Sequence, residues 1–136
     1  IGWKSVSATM ENFGKRHRGI IHSIAFIPSK RKIVSGSEDK TVRIWDFSDL
    51  DKIANPPLII EGHTAAVRSV SVTVSGEYVL SGGDDATIRM VDTTTGNLKG
   101  IFEGHQAGIT HITMSSDGDH FASCSSDGTV RIWALD

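Results

Sequence analysis

The stretch SGSEDKTVRIWD, residues 35–46, indicates the fold, because most of the chain repeats it. It returns as SGGDDATIRMVD at residues 81–92 and as SCSSDGTVRIWA at residues 123–134. A histidine lies 18 residues before the first serine of each copy, at His17, His63 and His105. The spacing inside the copies is constant and only the connections vary in length, so the chain consists of three repeats of about 40 residues.

The composition is typical of a globular protein that folds in water. Of the 136 residues, 38% are hydrophobic and 22% are charged, and the net charge is −2. Lys and Arg occur in all three repeats, so no field of one sign indicates nucleic acid or an anionic membrane as a partner. The apolar runs are too short for a spanning helix, and the first residues lack the order of a signal peptide. The one cysteine, Cys124, can form neither an internal disulfide nor a cysteine metal cluster, which favours an intracellular location.

Each repeat predicts short strands and no helix, so the expected fold class is all-β. Segments rich in β-branched residues follow each histidine, at Ile20–Ile27, Val67–Val74 and Ile109–Met114. Turn residues follow them, then the strands that begin with KIVS, YVLS and HFAS, and then TVRIW or TIRMV at period two. A fourth strand is expected in the connections, at Leu58–Ile60 and Leu98–Phe102.

These landmarks resemble the WD-repeat β-propellers, in which a repeat opens near Gly-His and closes near Trp-Asp. Trp45-Asp46 follows His17 by 28 positions, and Val91-Asp92 and Trp133-Ala134 follow their histidines by the same distance. Gly62-His63 and Gly104-His105 match the opening pair. The resemblance implies four-stranded antiparallel blades that belong to a larger ring of about seven blades.

The resemblance also predicts the boundaries of the repeats along residues 1–136. Residues 1–16 would end a preceding repeat, with Trp3-Lys4 at its Trp-Asp position and Met10–Phe13 as its outer strand. The three repeats would then span residues 17–62, 63–104 and 105–136, and the third would lack its outer strand.

In this family a histidine, a serine or threonine, an aspartate and a tryptophan form a buried hydrogen-bonded network. Repeats 1 and 3 carry the complete set, and Val91 replaces the tryptophan of repeat 2. We expect repeat 2 to be the less stable blade, because a buried acceptor left without its donor costs about 1–3 kcal/mol. The residues of the expected network are His17, Ser35, Asp39, Trp45, His63, Ser81, Asp85, His105, Ser123, Asp127 and Trp133.

A serine, a histidine and an aspartate also suggest a hydrolase triad, but three identical sites in tandem, each with its serine in a buried strand, argue against catalysis. No His or Cys spacing resembles a zinc set, and the acidic pairs Glu38-Asp39 and Asp84-Asp85 lack the pattern of a calcium loop. We therefore expect no enzyme activity, no metal and no cofactor.

Three blades do not easily close a ring, since propellers use about 4 to 8. The remaining blades would come from a longer parent chain or from a second copy of this chain.

The resemblance places partner binding on the face that carries the turn between the second and third strands. Mixed charge with an acidic excess suits a basic or polar peptide there, whereas the basic turn Lys30–Lys32 on the opposite face is expected to be solvated. The candidate partner-binding residues are Ile20, His22, Glu38, Ala66, Arg68, Asp84, Gly108, Thr110 and Ser126.

Two functions fit this reading. The first is a non-catalytic scaffold that presents these loops to protein or peptide partners, with neither nucleic acid nor a membrane among them. The alternative is a recognition or sensor module attached to an enzyme such as a ubiquitin ligase or a signalling ATPase. Some ligase adaptors of the family carry an arginine two residues after Trp-Asp, and Ser48, Thr94 and Asp136 stand there instead.

Overall fold

A computed structural model describes residue 2, residues 16–48 and residues 56–135. Within them the chain forms strands joined by turns, and no helix. The predicted preceding repeat, including Trp3-Lys4 and Met10–Phe13, lies almost entirely outside the described residues. The strands are β1 (Ile21–Ile27), β2 (Lys32–Ser37), β3 (Val42–Asp46), β4 (Leu58–Ile60), β5 (Val67–Val72), β6 (Tyr78–Gly83), β7 (Ile88–Asp92), β8 (Leu98–Phe102), β9 (Ile109–Met114), β10 (His120–Ser125) and β11 (Val130–Ala134).

The strands form three antiparallel sheets, which we call blades 1, 2 and 3. Blade 1 has the order β1-β2-β3-β4, blade 2 the order β5-β6-β7-β8, and blade 3 contains the three strands β9-β10-β11. The all-β prediction with four-stranded antiparallel blades is confirmed. We call the end of the blades with the β2–β3, β6–β7 and β10–β11 turns the upper face, and the opposite end the lower face.

The blades pack face to face, because alternate residues of a strand point to opposite sides of its sheet. Blades 1 and 2 share a core in which Val34 and Ile44 meet Val70 and Val79. Blades 2 and 3 share a second core, in which Leu80 and Ile88 meet Ile109, Ile112 and Phe121. Blade 2 is therefore covered on both faces.

A hydrogen bond between first strands recurs at both junctions. The Val70 amide of blade 2 donates to Ser23 Oγ of blade 1 at 3.1 Å. At the next junction the Ile112 amide donates to Ser69 Oγ at 2.9 Å. Ser23 and Ser69 both lie six residues after the histidine of their repeat, so one serine position links each blade to the next.

The outer faces of blades 1 and 3 expose apolar side chains. Ile24 and Phe26 on β1 are 68% and 72% exposed. On β11, Val130 and Ile132 are 72% and 75% exposed. Along β1 and β11, the exposed residues alternate with residues that face the cores. The exposed side chains therefore lie on the faces that point away from blade 2.

The basic turn does more than face solvent, which corrects the expectation for Lys30. Its ammonium donates to Thr93 Oγ1 at 3.1 Å and to the Gly76 carbonyl at 3.3 Å, both in blade 2. The Arg31 guanidinium lies 5.8 Å from the centre of the Phe47 ring. A lysine side chain thus connects blades 1 and 2 at the lower face.

Candidate functional site

The network residues of blade 1 meet in one hydrogen-bonded chain. His17 Nδ1 lies 2.8 Å from Asp39 Oδ2, and His17 Nε2 lies 2.6 Å from Ser35 Oγ. The Trp45 indole donates to the same serine oxygen at 2.9 Å. Since the aspartate can only accept, the histidine donates from Nδ1 and accepts the serine hydroxyl proton at Nε2. The chain connects β3, β2 and the segment before β1.

Blade 3 repeats this arrangement. His105 lies 3.1 Å from Asp127 and 2.7 Å from Ser123, and the Trp133 indole donates to Ser123 at 2.9 Å. Phe121 stacks on Trp133, with ring centres 6.0 Å apart and an interplanar angle of 14°. The structure therefore brings together all four members of the set in both tryptophan-containing repeats.

Blade 2 keeps the chain without a tryptophan. His63 lies 2.7 Å from Asp85 and 2.9 Å from Ser81, so the serine hydroxyl still has a partner. Among the described residues, no buried side-chain nitrogen or oxygen lacks a hydrogen bond. The expected orphaned acceptor is therefore absent, and Val91 packs in the core shared with blade 1 instead. Blade 2 is therefore not destabilised by an unsatisfied buried acceptor, which was the reason for expecting it to be less stable.

The surroundings favour the neutral form of His17 and His63 and the ionised form of Asp39. Burial lowers the pKa of His17 and of His63 below the usual histidine value, against the opposing effect of their aspartate partners. Burial by itself would raise the pKa of Asp39, but hydrogen bonds from the Thr41 hydroxyl and from the Arg18 and Thr41 amides lower it well below the usual range.

Nucleophilic chemistry at these serines would require access for a substrate. Ser35, Ser81 and Ser123 are each 2% exposed. Each hydroxyl is also already bonded to its histidine. Among the described residues, no group of three or more His, Cys, Asp or Glu side chains is arranged to hold a metal ion. In the same ranges, no helix is long and apolar enough to span a membrane.

The predicted partner-binding residues lie on the upper face, and four of them form one charged cluster. We call His22, Glu38, Arg68 and Asp84 the upper-face cluster. In blade 1, His22 Nε2 lies 2.5 Å from Glu38 Oε2. In blade 2, Arg68 binds Asp84 through two hydrogen bonds of 3.0 and 2.7 Å. The two pairs occupy equivalent repeat positions, five and 21 residues after the histidine.

Arg68 joins the two pairs across the junction of blades 1 and 2. Its Nη1 atom lies 3.1 Å from His22 Nε2 and 3.7 Å from Glu38 Oε2. His22 Nε2 cannot donate to Glu38 and accept from Arg68 at the same time, because it carries either a proton or a lone pair. The bond to Arg68 and the bond to Glu38 are therefore alternatives. The Glu38, Arg68 and Asp84 side chains remain 48%, 36% and 43% exposed.

The other predicted partner-binding residues differ in accessibility. Ile20 is 69% exposed, whereas Ala66 is 7% exposed, and its carbonyl accepts the Asp84 amide. The Gly108 carbonyl accepts the Ser126 amide in the same way. Thr110 and Ser126 are exposed in blade 3 but carry no charge. The structure thus joins the charged members into a cluster and leaves the others outside it.

The sequence reasoning missed two kinds of residue that join blades. Ser23 and Ser69 share a repeat position, which was a usable signal because a serine recurs there in two consecutive copies. Lys30 has a glycine at the equivalent position in both other repeats, so no recurrence pointed to its contact with blade 2.

The family model for the "WD domain, G-beta repeat" matches residues 10–46, 54–92 and 96–134. The chain belongs to the WD-repeat family. In these WD repeats the outer strand of a blade comes from the next match: β4 lies within 54–92 but pairs with β3 of the preceding match. The size of the ring and the repeat boundaries at residues 17, 63 and 105 stay predictions.

Several curated proteins are similar to part of this chain. The nuclear distribution protein PAC1 of Komagataella phaffii is 35% identical over 86 residues, which is 62% of this chain and 16% of that protein. The nuclear distribution protein nudF 2 of Aspergillus clavatus is 41% identical over 54 residues, 40% of this chain and 12% of that protein. The ribosome biogenesis protein YTM1 of Eremothecium gossypii is 34% identical over 85 residues, 55% of this chain and 18% of that protein. The chain spans less than a fifth of the length of each.

Proposed function

We propose that this WD-repeat chain is a non-catalytic scaffold that binds protein or peptide partners through its upper face. The observation that carries the proposal is the upper-face cluster, in which four side chains from two blades form one charged surface. The buried histidine, serine and aspartate of the network recur in every repeat, whereas the cluster positions hold different residues in each. We assign recognition to the positions that differ, because a partner can distinguish one exposed loop from another only by the residues that differ between them.

The cluster suits a basic or polar segment of a partner. It combines the carboxylates of Glu38 and Asp84 with one guanidinium, from Arg68. Arg68 binds Asp84 through two hydrogen bonds and reaches Glu38 only through a longer contact, so Glu38 is the carboxylate more open to a cation of a partner. A lysine or arginine of a bound peptide could replace Arg68 at Glu38, where the present contact of 3.7 Å is long.

The family and the relatives support an intracellular scaffold whose partners are proteins. The relatives' names refer to nuclear distribution and to ribosome biogenesis. We assign this chain neither role, because the matched part covers little of those proteins. Neither a nucleic acid nor a membrane is part of the proposal.

We further propose that the outer faces of blades 1 and 3 pack against additional blades. The support is their exposed apolar side chains, with Phe26 and Ile132 both more than 70% exposed. A longer parent chain or a second copy of this chain would supply those blades. Either source would bury a surface that resembles the two cores already formed between blades.

The test of the scaffold role is quantitative capture of partners from a cell lysate by a double variant, Arg68→Ala with Asp84→Ala. We expect specific partners of the wild-type chain to be lost, because the variant removes the bridge between blades. The matched control, Arg31→Ala with Glu77→Ala, removes one basic and one acidic exposed side chain from lower-face turns and should retain them. Unchanged recovery by the upper-face variant would contradict the proposal.

A further inference from the structure

A groove of about 640 Å³ opens on the lower face between blades 2 and 3. Val74, Tyr78, Met90 and Leu135 supply its apolar lining, and Asp117 and Lys99 supply charges of opposite sign. The corresponding groove between blades 1 and 2 measures about 170 Å³. Three residues of the smaller groove occupy the same repeat positions as residues of the larger one: Lys32 corresponds to Tyr78, Ile44 to Met90 and Thr93 to Leu135.

The two junctions also differ in a lysine side chain: Lys30 crosses the first, and no described residue of blade 2 has an equivalent side chain that crosses the second. Lys30 follows His17 by 13 residues and reaches Thr93 and the Gly76 carbonyl of blade 2. The residue 13 positions after His63 is Gly76, which has no side chain to extend toward blade 3. The junctions differ in a second side chain as well. Leu58 is the register partner of Ile44 in blade 1, whereas Gly100, which has no side chain, is the register partner of Met90 in blade 2.

The larger groove retains an acceptor for an ammonium group. Between blades 1 and 2, the Gly76 carbonyl accepts from Lys30 at 3.3 Å and from the Thr93 hydroxyl at 2.9 Å. The equivalent carbonyl in blade 3 is that of Gly118, and Leu135 in place of Thr93 has no hydroxyl to donate to it. Asp117 stands where blade 2 has Ser75, so a carboxylate is added beside this acceptor.

We propose that the groove between blades 2 and 3 binds a lysine side chain of a protein partner, in the way that Lys30 is bound between blades 1 and 2. The four-carbon stem would lie along Val74, Tyr78 and Met90, because lysine buries its methylene groups on apolar surface and keeps its ammonium polar. The ammonium would donate to the Gly118 carbonyl, with Asp117 as its counter-charge. The site lies on the lower face and does not depend on the upper-face cluster.

Lys99 weakens the binding of a second cation at this site. Its ammonium lies 5.7 Å from the centre of the Tyr78 ring, at a distance typical of a cation–π contact. A bound lysine would share the groove with this cation and be repelled by it. Removing Lys99 should therefore strengthen binding, whereas removing Asp117 should weaken it.

The probe that tests the proposal is the butylammonium ion, which reproduces the end of a lysine side chain. Amide chemical shifts of the ¹⁵N-labelled chain would be followed during titration, with 1-butanol and butyrate as neutral and anionic controls at equal ionic strength. We expect saturable shifts at Tyr78 and Gly118 with butylammonium alone. Asp117→Asn should weaken binding about two- to fivefold, as for an exposed charge pair, and the control Asp119→Asn should not.

A second variant tests whether the internal lysine is a valid template. Lys30→Ala removes the side chain that crosses to blade 2, so butylammonium should then also bind beside Gly76 and raise the melting temperature of the variant. Equal shifts with butanol and butylammonium in the wild-type groove would show an apolar cavity only and overturn the proposal. So would shifts that fail to saturate, or an affinity that Asp117→Asn leaves unchanged.

Discussion

At the scale of single residues, each histidine makes two hydrogen bonds, one with a buried serine hydroxyl and one with an aspartate carboxylate. In blade 1 the order is indole, serine hydroxyl, imidazole and aspartate, with each group donating to the next. The position of each hydrogen-bonding proton in this chain is determined, because the indole can only donate and the carboxylate can only accept. The network thus fixes the histidine tautomer as well as the positions of β2 and β3.

Trp45→Phe should destabilise the chain by about 1 kcal/mol, because it removes one buried hydrogen bond and keeps most of the ring. Urea denaturation followed by circular dichroism measures the change. Trp133→Phe is the matched comparison, and its effect should be smaller since that ring is only partly buried. Equal stability of the wild-type and Trp45→Phe chains would show that the indole bond contributes nothing.

Stability should fall as the pH drops below about 6.5, the ordinary histidine pKa. Burial lowers the pKa of His17 and His63, so the unfolded chain takes up protons in this range that the folded chain does not. The lowered pKa values of Asp39 and Asp85 add a further loss below about 3.9. Urea midpoints at pH 7.5 and 5.5 provide the measurement, with the exposed His120→Gln as a control. A midpoint that stays constant or rises toward pH 5.5 would contradict the assignment of neutral histidines.

At the scale of secondary-structure elements, close contact between blades depends on glycine. A Cβ atom on Gly36 would lie 2.7 Å from Val67 Cγ1 and 3.0 Å from Val70 Cγ1. Gly82, at the equivalent position, faces Ile109 and Ile112 of blade 3 in the same way. The third equivalent is Cys124, on the face of blade 3 that points away from blade 2. A side chain is thus present only where the structure shows no neighbouring blade.

Gly36→Ala should cost about 1–3 kcal/mol, the usual cost of overpacking a buried contact between stiff β-branched side chains. Gly100→Ala is the matched control in β8, because a Cβ there meets no atom within 4 Å. Thermal unfolding of both variants would measure the difference. A Gly36→Ala chain as stable as the control would show that the blades separate easily enough to admit a methyl group.

The strands were predictable because both the period of two and the turn residues recur in every repeat. The second strand extends further than predicted: β2 runs to Ser37, whereas the KIVS segment ends at Ser35. The meeting of His22 with Arg68 was not predictable, since 46 residues separate them and nothing in either repeat specifies how blades rotate against each other. The same holds for Lys30 and Thr93, whose contact depends on tertiary packing alone.

At the scale of the whole molecule, the chain presents two apolar outer faces on either side of a fully covered blade. Side chains such as Phe26 and Ile132 expose apolar area. Burial of that area would contribute about 25 cal/mol per Å² to stability. Burial against further blades would therefore stabilise the chain, whichever molecule supplies them.

The 136-residue chain alone should accordingly self-associate. Size-exclusion chromatography with light scattering would give the mass, and Phe26→Ser with Ile132→Ser should shift the population toward a monomer. A stable monomer of about 14.7 kDa for the wild-type chain would oppose both proposed sources of additional blades.

The repeated residues hold the blades together, and we propose that the residues that vary between repeats recognise partners. The most direct measurement is partner recovery per folded molecule, compared between Ser35→Ala and the Arg68→Ala, Asp84→Ala double variant. We expect Ser35→Ala to reduce the folded fraction but to leave recovery per folded molecule unchanged. The double variant should keep the folded fraction and lose recovery. Recovery that follows only the folded fraction in both variants would show that Arg68 and Asp84 do not recognise partners.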